Sequence, residues 1–421
     1  MGAKQNFLGI DLGSSGVRIA IIKSNKELIY LAEKNYSSGL DSPDNWVECC
    51  QCLIRNIPIA IKRGIKACSV DGTSGTLAAC NSKGTTWGKA LPYNMFFPEY
   101  GNSIDSLFPN QTNCIYTNNS LSRAYKLVEL YGADILLRHQ ADWITGWLLD
   151  DWRFGEEGNN LRLGWDVINK KWPITYQELS WFKCLPKIIE SGQCIDKISA
   201  EKSTLLGLAK ETLIISGTTD SNAGVIASGA ELGDGVTILG STIVVKSFTD
   251  KPIKYEGITN HRICNKWLTG GASNAGGSVL RRYFNNDELI ELSRQINPHI
   301  DSGLQYIPLP QKGERFPVND PDLKPVFKPR PISDSLFLHG ILEGLALIEA
   351  QGWLKLIELG ITAPRKIITL GGGSGNPQWK VIREKYIKIP IETSNKPTAY
   401  GTAIIAMEGF NNKTDHKKSE P

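Results

Sequence analysis

Two aspartates follow apolar segments and adjoin turns rich in glycine and hydroxyl side chains. Asp11 follows Phe7–Ile10 and leads into the turn Gly13-Ser14-Ser15-Gly16. Successive backbone N–H groups in such a turn can bind phosphate oxygens, and glycine permits close approach and positive φ values. A carboxylate beside bound phosphate needs a cation between them, so Asp11 is a candidate ligand of Mg²⁺, held through water because Mg²⁺ dehydrates reluctantly. An ordinary hairpin turn is the alternative interpretation.

Asp220 follows the apolar segment Leu213–Ser216 and the residues Gly217-Thr218-Thr219. It precedes small residues that are typical of a helix start. Its carboxylate could simply cap that helix. It could also act as a general base, which takes the proton from a substrate hydroxyl as that oxygen attacks a γ-phosphate. The residues alone leave both interpretations open.

The order of elements around Asp11 recurs later in the chain. Gly235–Val245 again consists of an apolar strand, a polar turn (Gly240-Ser241-Thr242) and an apolar strand. One repeat per half indicates two related α/β domains, and 421 residues are enough for two domains with a cleft between them. We expect a first domain over residues 1–224, a second over 225–410, and a frayed polar tail over 411–421.

Other strands and helices are predicted to carry further ligand-binding turns. Ala67–Val70 reads as a strand before the turn Asp71–Gly75, and Ile367–Leu370 as a strand before Gly371–Gly375. Ligands of α/β folds gather at such strand ends. Helical spacing of apolar residues occurs over 121–137, 142–149 and 331–360, and a surface loop is expected over 311–331.

Composition excludes several classes of protein. Apolar residues make up 41% and charged residues 21%, which excludes a disordered chain. A net charge of +4 without a polybasic block gives no support to nucleic-acid binding. No apolar run approaches the roughly 18 residues of a membrane span, and residues 1–7 do not resemble a signal peptide, so we expect a cytoplasmic protein. The nine cysteines are expected to be reduced, with Cys49, Cys50 and Cys52 structural rather than metal-binding.

Nine segments together resemble the ordered landmarks of FGGY-type carbohydrate kinases, over residues 7 to about 406. Each segment alone is weakly specific, and the resemblance depends on their order. They are Phe7–Arg18, Trp46–Glu48, Asp71–Gly75, Gly217–Gly229, Thr237–Thr242, Gly313–Pro317, Glu343–Ala346, Gly371–Asn376 and Ala399–Ala403.

The resemblance implies two actin-like, ribonuclease-H-like domains of the ASKHA type, with an active-site cleft between them that binds a sugar, ATP and Mg²⁺. It assigns Asp220 as the catalytic base and Asp11 as the metal-linked aspartate. Asp11, Thr73, Ser74 and Asp220 would contact the substrate. Trp46 and Glu48 could line the sugar pocket or brace the first domain. The residues implied to bind the nucleotide are Gly13, Ser14, Ser15, Arg18, Gly240, Ser241, Thr242, Gly371, Gly372, Gly373, Asn376 and Trp379.

Two departures from the family pattern bear on the substrate. Pro92-Tyr93-Asn94-Met95-Phe96 stands where many members have Trp-x-Asp-x-Arg, whose aspartate helps to bind sugar hydroxyls. The chain is also shorter than the usual members. Both features resemble the short D-ribulose kinases that were once described as xylulokinase-like, so D-ribulose is the expected substrate. The alternatives are D-xylulose, another polyol or deoxy sugar, and a non-enzymatic actin-like nucleotide-binding protein; a monomer or homodimer is expected.

Overall fold

The first strand, Asn6–Leu12, is buried at every residue, as expected for a central strand that is covered on both faces of a sheet. It belongs to a computed structural model that describes residues 5–108 and 120–419, with only the backbone given for 415–419. Within that part of the chain, no helix is long and apolar enough to cross a membrane.

The described residues form sixteen strands, thirteen α-helices and five short 3₁₀ helices. The strands are β1 Asn6–Leu12, β2 Gly16–Lys23, β3 Leu28–Asn35, β4 Ile65–Gly72, β5 Leu77–Cys80, β6 Leu136–His139, β7 Phe154–Glu156, β8 Lys187–Ile189, β9 Cys194–Lys197, β10 Leu213–Thr219, β11 Gly235–Leu239, β12 Ile243–Thr249, β13 Ile258–Ile263, β14 Lys266–Ala272, β15 Ile367–Leu370 and β16 Ile391–Thr393. The α-helices are α1 Pro43–Arg55, α2 Ile59–Lys62, α3 Gly101–Asp105, α4 Ser120–Tyr131, α5 Gln140–Leu149, α6 Glu157–Asn160, α7 Ala200–Leu206, α8 Asp220–Ala227, α9 Gly277–Leu280, α10 Asn286–Arg294, α11 Asp334–Glu358, α12 Pro377–Ile387 and α13 Thr398–Ser419. The 3₁₀ helices are Pro98–Tyr100, Leu161–Leu163, Ile174–Glu178, Phe182–Cys184 and Gly372–Gly375.

The chain divides into two units, and each contains one six-stranded sheet. Unit 1 comprises the chain up to Ala227, the short segment Arg262–Asn265 and the C-terminal segment from Lys396. Unit 2 comprises Ser228–His261 and Lys266–Asn395. The strand order is β3-β2-β1-β4-β10-β9 in the first sheet and β13-β14-β12-β11-β15-β16 in the second.

The two sheets share a five-strand pattern, β3-β2-β1-β4-β10 in unit 1 and β14-β12-β11-β15-β16 in unit 2. In each, a first strand pairs with an antiparallel second strand on one side and a parallel strand on the other. The two hairpins predicted from sequence, β1–β2 and β11–β12, are therefore confirmed, and each occupies the same place in its sheet.

The C-terminal segment differs from the sequence-based expectation. Residues 396–410 were expected in the second domain and 411–421 as a frayed tail, but α13 groups with unit 1 and continues through Ser419. Small residues allow this helix to pack closely. A Cβ on Gly9 would lie 2.1 Å from the carbonyl oxygen of Ala399, and one on Gly401 would lie 1.9 Å from that of Ala223. Residues 420 and 421 lie outside the described part of the chain.

Several predicted turns and helices have different bounds. β4 continues through Asp71, and β10 continues through Thr219 and meets α8 directly, so segments that read as turns belong to strands. Gly217 is needed where β10 approaches β4 closely, because a Cβ on Gly217 would lie 1.8 Å from the carbonyl oxygen of Val70.

The helix expected over 121–137 ends at Tyr131, because Gly132 has a φ of +76°, and β6 follows. The helices expected over 142–149 and 331–360 correspond to α5 and α11.

A buried ion pair ties together the sheet and helices of unit 2. The Arg383 guanidinium donates to both carboxylate oxygens of Glu349, at 2.6 and 2.7 Å, and the side chains are 2% and 0% exposed. Thr237 of β11 donates to the same carboxylate at 2.6 Å, and Arg383 also donates to Thr369 of β15 at 3.0 Å. The network offsets the desolvation of both charges by hydrogen bonds.

We expect Glu349→Gln to destabilise the protein by about 3–5 kcal/mol, because it leaves the Arg383 charge buried without a counter-charge. The free energy of unfolding in urea, followed by circular dichroism, measures the effect. Glu392→Gln is the control, because Glu392 forms a 2.9 Å ion pair with Lys366 at the surface, where little stabilisation is expected. Equal stability of the two variants would contradict the prediction.

Candidate active site

The β1–β2 hairpin presents the first glycine loop. Asp11 lies in β1 rather than in the turn, opposite Arg18 of β2. The Gly13 N–H donates to the carbonyl of Gly16 at 2.9 Å and closes the turn, whereas Ser14 and Ser15 are exposed at its tip. The tip is thus accessible to an anionic ligand.

Arg18 bridges two acidic side chains. Its Nη1 lies 3.8 Å from Asp11 Oδ2, while its Nε and Nη2 donate to Glu33 Oε2 at 3.1 and 2.9 Å. The guanidinium is therefore already paired on the face of β2. It supplies a positive charge beside Asp11, at the base of the loop.

Asp71 is an acidic side chain of the site that sequence reasoning missed. It lies on β4 directly beside Asp11 of the parallel strand β1, and it is fully buried. The Thr402 hydroxyl of α13 donates to Asp71 Oδ2. A signal was present, since Val70-Asp71-Gly72-Thr73 repeats the pattern of an apolar strand ending in aspartate that identified Asp11.

Burial and like charge govern the ionisation of this pair. Burial is the main cause that raises the pKa of Asp71 well above its usual range; the Asp11 and Asp220 charges raise it further, and the Thr402 hydroxyl acts in the opposite direction. Burial also raises the pKa of Asp11, against the opposing effects of its hydrogen bond with Asp71 and of the Arg18 charge. Displacement toward the neutral form is the expected response of a buried carboxyl.

Asp220 is the first residue of α8, at the carboxyl end of β10. The pairing of β10 with β4 places Thr218 beside Asp71, two residues before Asp220. The side chain of Asp220 is partly exposed, and its Oδ1 accepts the N–H of Ser221 at 2.6 Å. This contact is made at the start of α8. It does not exclude the predicted role of Asp220 as a general base, because the carboxylate also remains accessible to solvent.

Thr73 and Ser74 follow β4, on the substrate side of the predicted site. The Thr73 hydroxyl and backbone N–H both donate to Gln140 Oε1, at 2.6 and 3.1 Å, and Gln140 in turn donates to Tyr36 at 3.2 Å. Ser74 is partly exposed, and its hydroxyl accepts from Arg162 Nε at 3.1 Å. Thr73 is therefore buried and fixed by Gln140, whereas Ser74 and Arg162 form an accessible polar pair.

Arg123 holds the segment that departs from the family pattern. Its buried guanidinium donates to the backbone carbonyls of Gly75 at 2.9 Å, Tyr93 at 3.2 Å and Met95 at 2.7 Å. Burial lowers the pKa of Arg123 to about 10. The side chains of Tyr93, Met95 and Phe96 are 42%, 41% and 53% exposed, so this segment presents apolar surface next to the Gly75 turn.

The second glycine loop lies in unit 2, and its backbone is bonded to the first two residues of α9. The N–H groups of Gly277 and Ser278 donate to the carbonyls of Gly240 and Ser241, at 2.9 and 3.1 Å. The Ser241 hydroxyl accepts from Arg281 Nη2 at 2.7 Å. Ser241 is exposed, and Gly240 and Thr242 are partly exposed. Arg281 thus brings a cation to this loop.

The Gly371–Asn376 segment forms a 3₁₀ turn before α12. Gly371 has a φ of +87°, and a Cβ there would lie 2.6 Å from the carbonyl oxygen of Leu239, so this position requires glycine. Gly372 is exposed and Gly373 partly exposed. Asn376 caps α12 by accepting the Trp379 N–H at 2.9 Å.

Trp379 is not placed as the sequence suggested. Its ring is 2% exposed and packs in the hydrophobic core of unit 2, directly beneath Gly373. No face of the ring is open to stack on a base in this structure. Trp46 is likewise buried, with its indole N–H donating to the Leu40 carbonyl at 2.9 Å, so it braces unit 1.

The residues of unit 1 fit a hard divalent cation. Mg²⁺ is usually held by one or two carboxylates, with water and substrate phosphates as its other ligands. Asp11 supplies one buried carboxylate beside the exposed loop tip, and Asp71 Oδ1 is a buried oxygen to which no hydrogen bond is donated. Among the described residues, no group of three or more His, Cys, Asp or Glu side chains forms a complete metal-binding cluster. Water and phosphate oxygens would have to complete the coordination.

The chain is similar in sequence to sugar kinases. It is 24% identical over 241 residues to a xylulose kinase of Bacillus subtilis (strain 168). This alignment covers 53% of this chain and 48% of that protein. It is 22% identical over 298 residues to a putative sugar kinase, YoaC, of the same organism, covering 64% and 58%. The matches thus span about half of each relative's length. No known protein family's sequence profile matches the chain.

Solved structures of similar fold cover nearly the whole chain. A xylulose kinase from Rhodospirillum rubrum matches with a TM-score of 0.80 and 15% identity, over 96% of this chain and 92% of that one. A glycerol kinase from Plasmodium falciparum, solved with ADP, matches with a TM-score of 0.79 and 14% identity, over 97% and 90%. The predicted fold class of two actin-like α/β domains is confirmed. The chain has the fold of carbohydrate kinases and is similar to them in sequence.

The buried ring of His139, the residue before Gln140, provides a test of burial next to the candidate site. Its ring is fully buried, with Nε2 2.9 Å from the Ser120 hydroxyl and Nδ1 3.7 Å from Asp142 Oδ2. Burial is the main cause that lowers the pKa of His139; Asp142 opposes this, and the charges of Arg123 and Arg162 add to it. A depressed pKa means that the unfolded chain binds a proton, in mildly acidic solution, that the folded protein excludes.

We therefore expect the wild type to lose stability as the pH falls below the unfolded histidine value, and His139→Gln to lose less. Urea midpoints at about pH 7.5 and pH 5.5 measure the difference, with His299→Gln at an exposed position as the control. An unchanged difference between the two midpoints in His139→Gln would contradict the assignment of a neutral buried ring.

Proposed function

We propose that the protein is an ATP-dependent sugar kinase, which transfers the γ-phosphate of ATP to a terminal hydroxyl of a ketopentose. The observation that carries this proposal is the convergence of Asp11, Asp71 and Asp220 at the carboxyl ends of β1, β4 and β10, beside the exposed Ser14-Ser15 loop tip. Similarity in sequence and fold to sugar kinases supports it.

Asp220 would act as the general base. Its carboxylate is accessible at the start of α8, where it can accept a hydrogen bond from the terminal hydroxyl of the sugar. It would orient that oxygen for attack on the γ-phosphate and take its proton as the new bond forms. Ser74 and Arg162 would bind sugar hydroxyls, while Thr73, fixed by Gln140, would hold the wall of the pocket.

The nucleotide would be bound by backbone groups and a few cationic side chains. One proposed phosphate-binding loop, in unit 1, consists of Gly13, Ser14 and Ser15. In unit 2, the phosphate loop Gly240-Ser241-Thr242 has Arg281 beside it, and Gly371, Gly372, Gly373 and Asn376 form the proposed adenosine site. Arg18 would act through its pairing with Asp11. Bound Mg²⁺ would neutralise phosphate charge, with Asp11 among the groups that hold it.

D-Ribulose is the proposed substrate, with D-ribulose 5-phosphate as the product. It is favoured by the Pro92–Phe96 segment, which resembles the corresponding segment of the short D-ribulose kinases. D-Xylulose is the principal alternative, because the Bacillus subtilis relative and the Rhodospirillum rubrum structural neighbour are xylulose kinases. Another polyol or deoxy sugar is a further candidate. A non-enzymatic actin-like nucleotide-binding protein would not need Asp220 and the Ser74–Arg162 pair.

Release of ADP from purified protein with ATP and Mg²⁺, measured against a panel of sugars, tests the proposal. D-Ribulose is expected to give the largest kcat/KM, ahead of D-xylulose, other ketoses and polyols. A larger value for D-xylulose would reassign the substrate and leave the reaction unchanged. ADP release that no sugar accelerates would favour the nucleotide-binding protein.

Asp220→Asn is expected to lower kcat by about 10² to 10⁴, the usual contribution of a general base, with little change in the affinity for ATP. Steady-state turnover and ATP binding are measured on the same preparation. Asp196→Asn, at an exposed position on the neighbouring strand β9, is the matched control and should retain full turnover. Near-normal turnover by Asp220→Asn would remove this residue from the role.

A further inference from the structure

Asp71 and Asp11 face each other on adjacent parallel strands. They are paired in register, so their side chains leave the same face of a sheet whose strands are about 4.8 Å apart. Both residues are buried, at 0% and 6% exposure, and each carboxyl group influences the ionisation of the other. Two carboxylates this close repel each other unless a cation or a shared proton lies between them.

The two oxygens of Asp71 have different surroundings. Oδ2 accepts the Thr402 hydroxyl, whereas Oδ1 accepts no hydrogen bond from any donor in the described part of the chain, although it is fully buried. An unsatisfied buried carboxylate oxygen is costly, and a bound water or ion is one arrangement that satisfies it. Oδ1 is thus the oxygen available to a ligand that enters beside Asp11.

Thr402 can reach Asp71 only because α13 packs tightly on the sheet. Gly9 of β1 leaves the space that the first turn of α13 occupies, and Gly401 allows the same helix to contact α8. The Thr402 hydroxyl has a second acceptor within reach, the Thr398 carbonyl of its own helix at 3.3 Å. Its bond to Asp71 therefore positions an acidic side chain from outside the strand that carries it.

We propose that Asp71 is a second carboxylate ligand, beside Asp11, of a divalent cation, bound directly or through water, and that Thr402 is the residue that positions it. The proposal deepens the proposed kinase function, since it assigns further residues to the cation which that reaction uses. Carboxylate oxygens are the ligands that Mg²⁺ and Mn²⁺ prefer, and two acidic groups suit a site whose remaining ligands are water and phosphate. Arg18 does not replace the cation, because it approaches Asp11 only to 3.8 Å and is shared with Glu33.

Direct binding of Mn²⁺ to the full chain, followed by the loss of the free-ion signal in electron paramagnetic resonance, tests the proposal without sugar or turnover. The titration is made on the protein alone and again with ADP. We expect Asp71→Asn and Asp11→Asn each to weaken Mn²⁺ binding by about tenfold or more. Thr402→Val should weaken it by about tenfold as well, and Thr402→Ser, which retains the hydroxyl, should restore it.

Thr204→Val is the matched control for the threonine variants. Thr204 also lies on a helix of unit 1 and donates to the carbonyl four residues earlier, at 3.0 Å, but it is exposed and distant in sequence from the acidic pair. Circular dichroism and urea unfolding verify that each variant is folded. If Asp71→Asn disturbs the fold, the Val and Ser variants of Thr402 provide the test.

Three results would overturn the proposal. Mn²⁺ binding by Asp71→Asn equal to that of the wild type would show that the pair is held by a shared proton. Equal effects of Thr402→Val and Thr204→Val would remove Thr402 from the positioning role. A wild type that binds no Mn²⁺ even with ADP would remove the site altogether. Asp71-dependent Mn²⁺ binding without sugar-dependent turnover would count against the proposed function alone.

Discussion

The arrangement of unit 1 depends on one constraint, which is that acidic side chains of like charge lie close together in a buried place. Asp11, Asp71 and Asp220 occur at the ends of three adjacent strands, and burial penalises the ionised form of the first two. Such an arrangement is unfavourable unless neighbouring groups compensate for it. Arg18 and Thr402, contributed by β2 and by α13, compensate in part, and Asp71 Oδ1 still accepts no hydrogen bond from the described residues. Sites where perturbed acidic groups gather are frequent places of catalysis.

This constraint explains why the C-terminal helix belongs with the first sheet. A hydroxyl donor for Asp71 must come from a backbone that approaches the sheet very closely, and only residues without a Cβ leave that room at Gly9 and Gly401. The small residues of Ala399–Ala403 therefore form a surface through which α13 makes close contacts. Its one buried hydroxyl that reaches the acids is Thr402.

Unit 2 repeats the strand order of unit 1, but its buried charges are paired with each other. Where unit 1 leaves acidic oxygens available to a ligand, unit 2 pairs Glu349 with Arg383 and satisfies both by threonine hydroxyls from two strands. A fully bonded network of this kind stabilises structure and offers nothing to a substrate. The accessible chemistry of unit 2 lies in its turns instead, at Ser241 and along Gly371–Gly375.

Sequence alone determined the features that depend on near neighbours along the chain. Both hairpins, the glycine turns, and the aspartates that follow apolar strands could be recognised because strand periodicity and turn chemistry extend over only a few residues. Their repetition indicated two related α/β domains, and the resemblance to FGGY-type carbohydrate kinases implied that these domains are actin-like. The role of Asp71, the burial of Trp379 and the anchoring of the Tyr93–Met95 segment by Arg123 were decided by tertiary structure. Asp71 and Thr402 are 331 positions apart, and only packing of α13 on the sheet brings them into contact. Burial, which decides whether a polar group is costly or a ring accessible, is a property of that packing and cannot be read from local sequence.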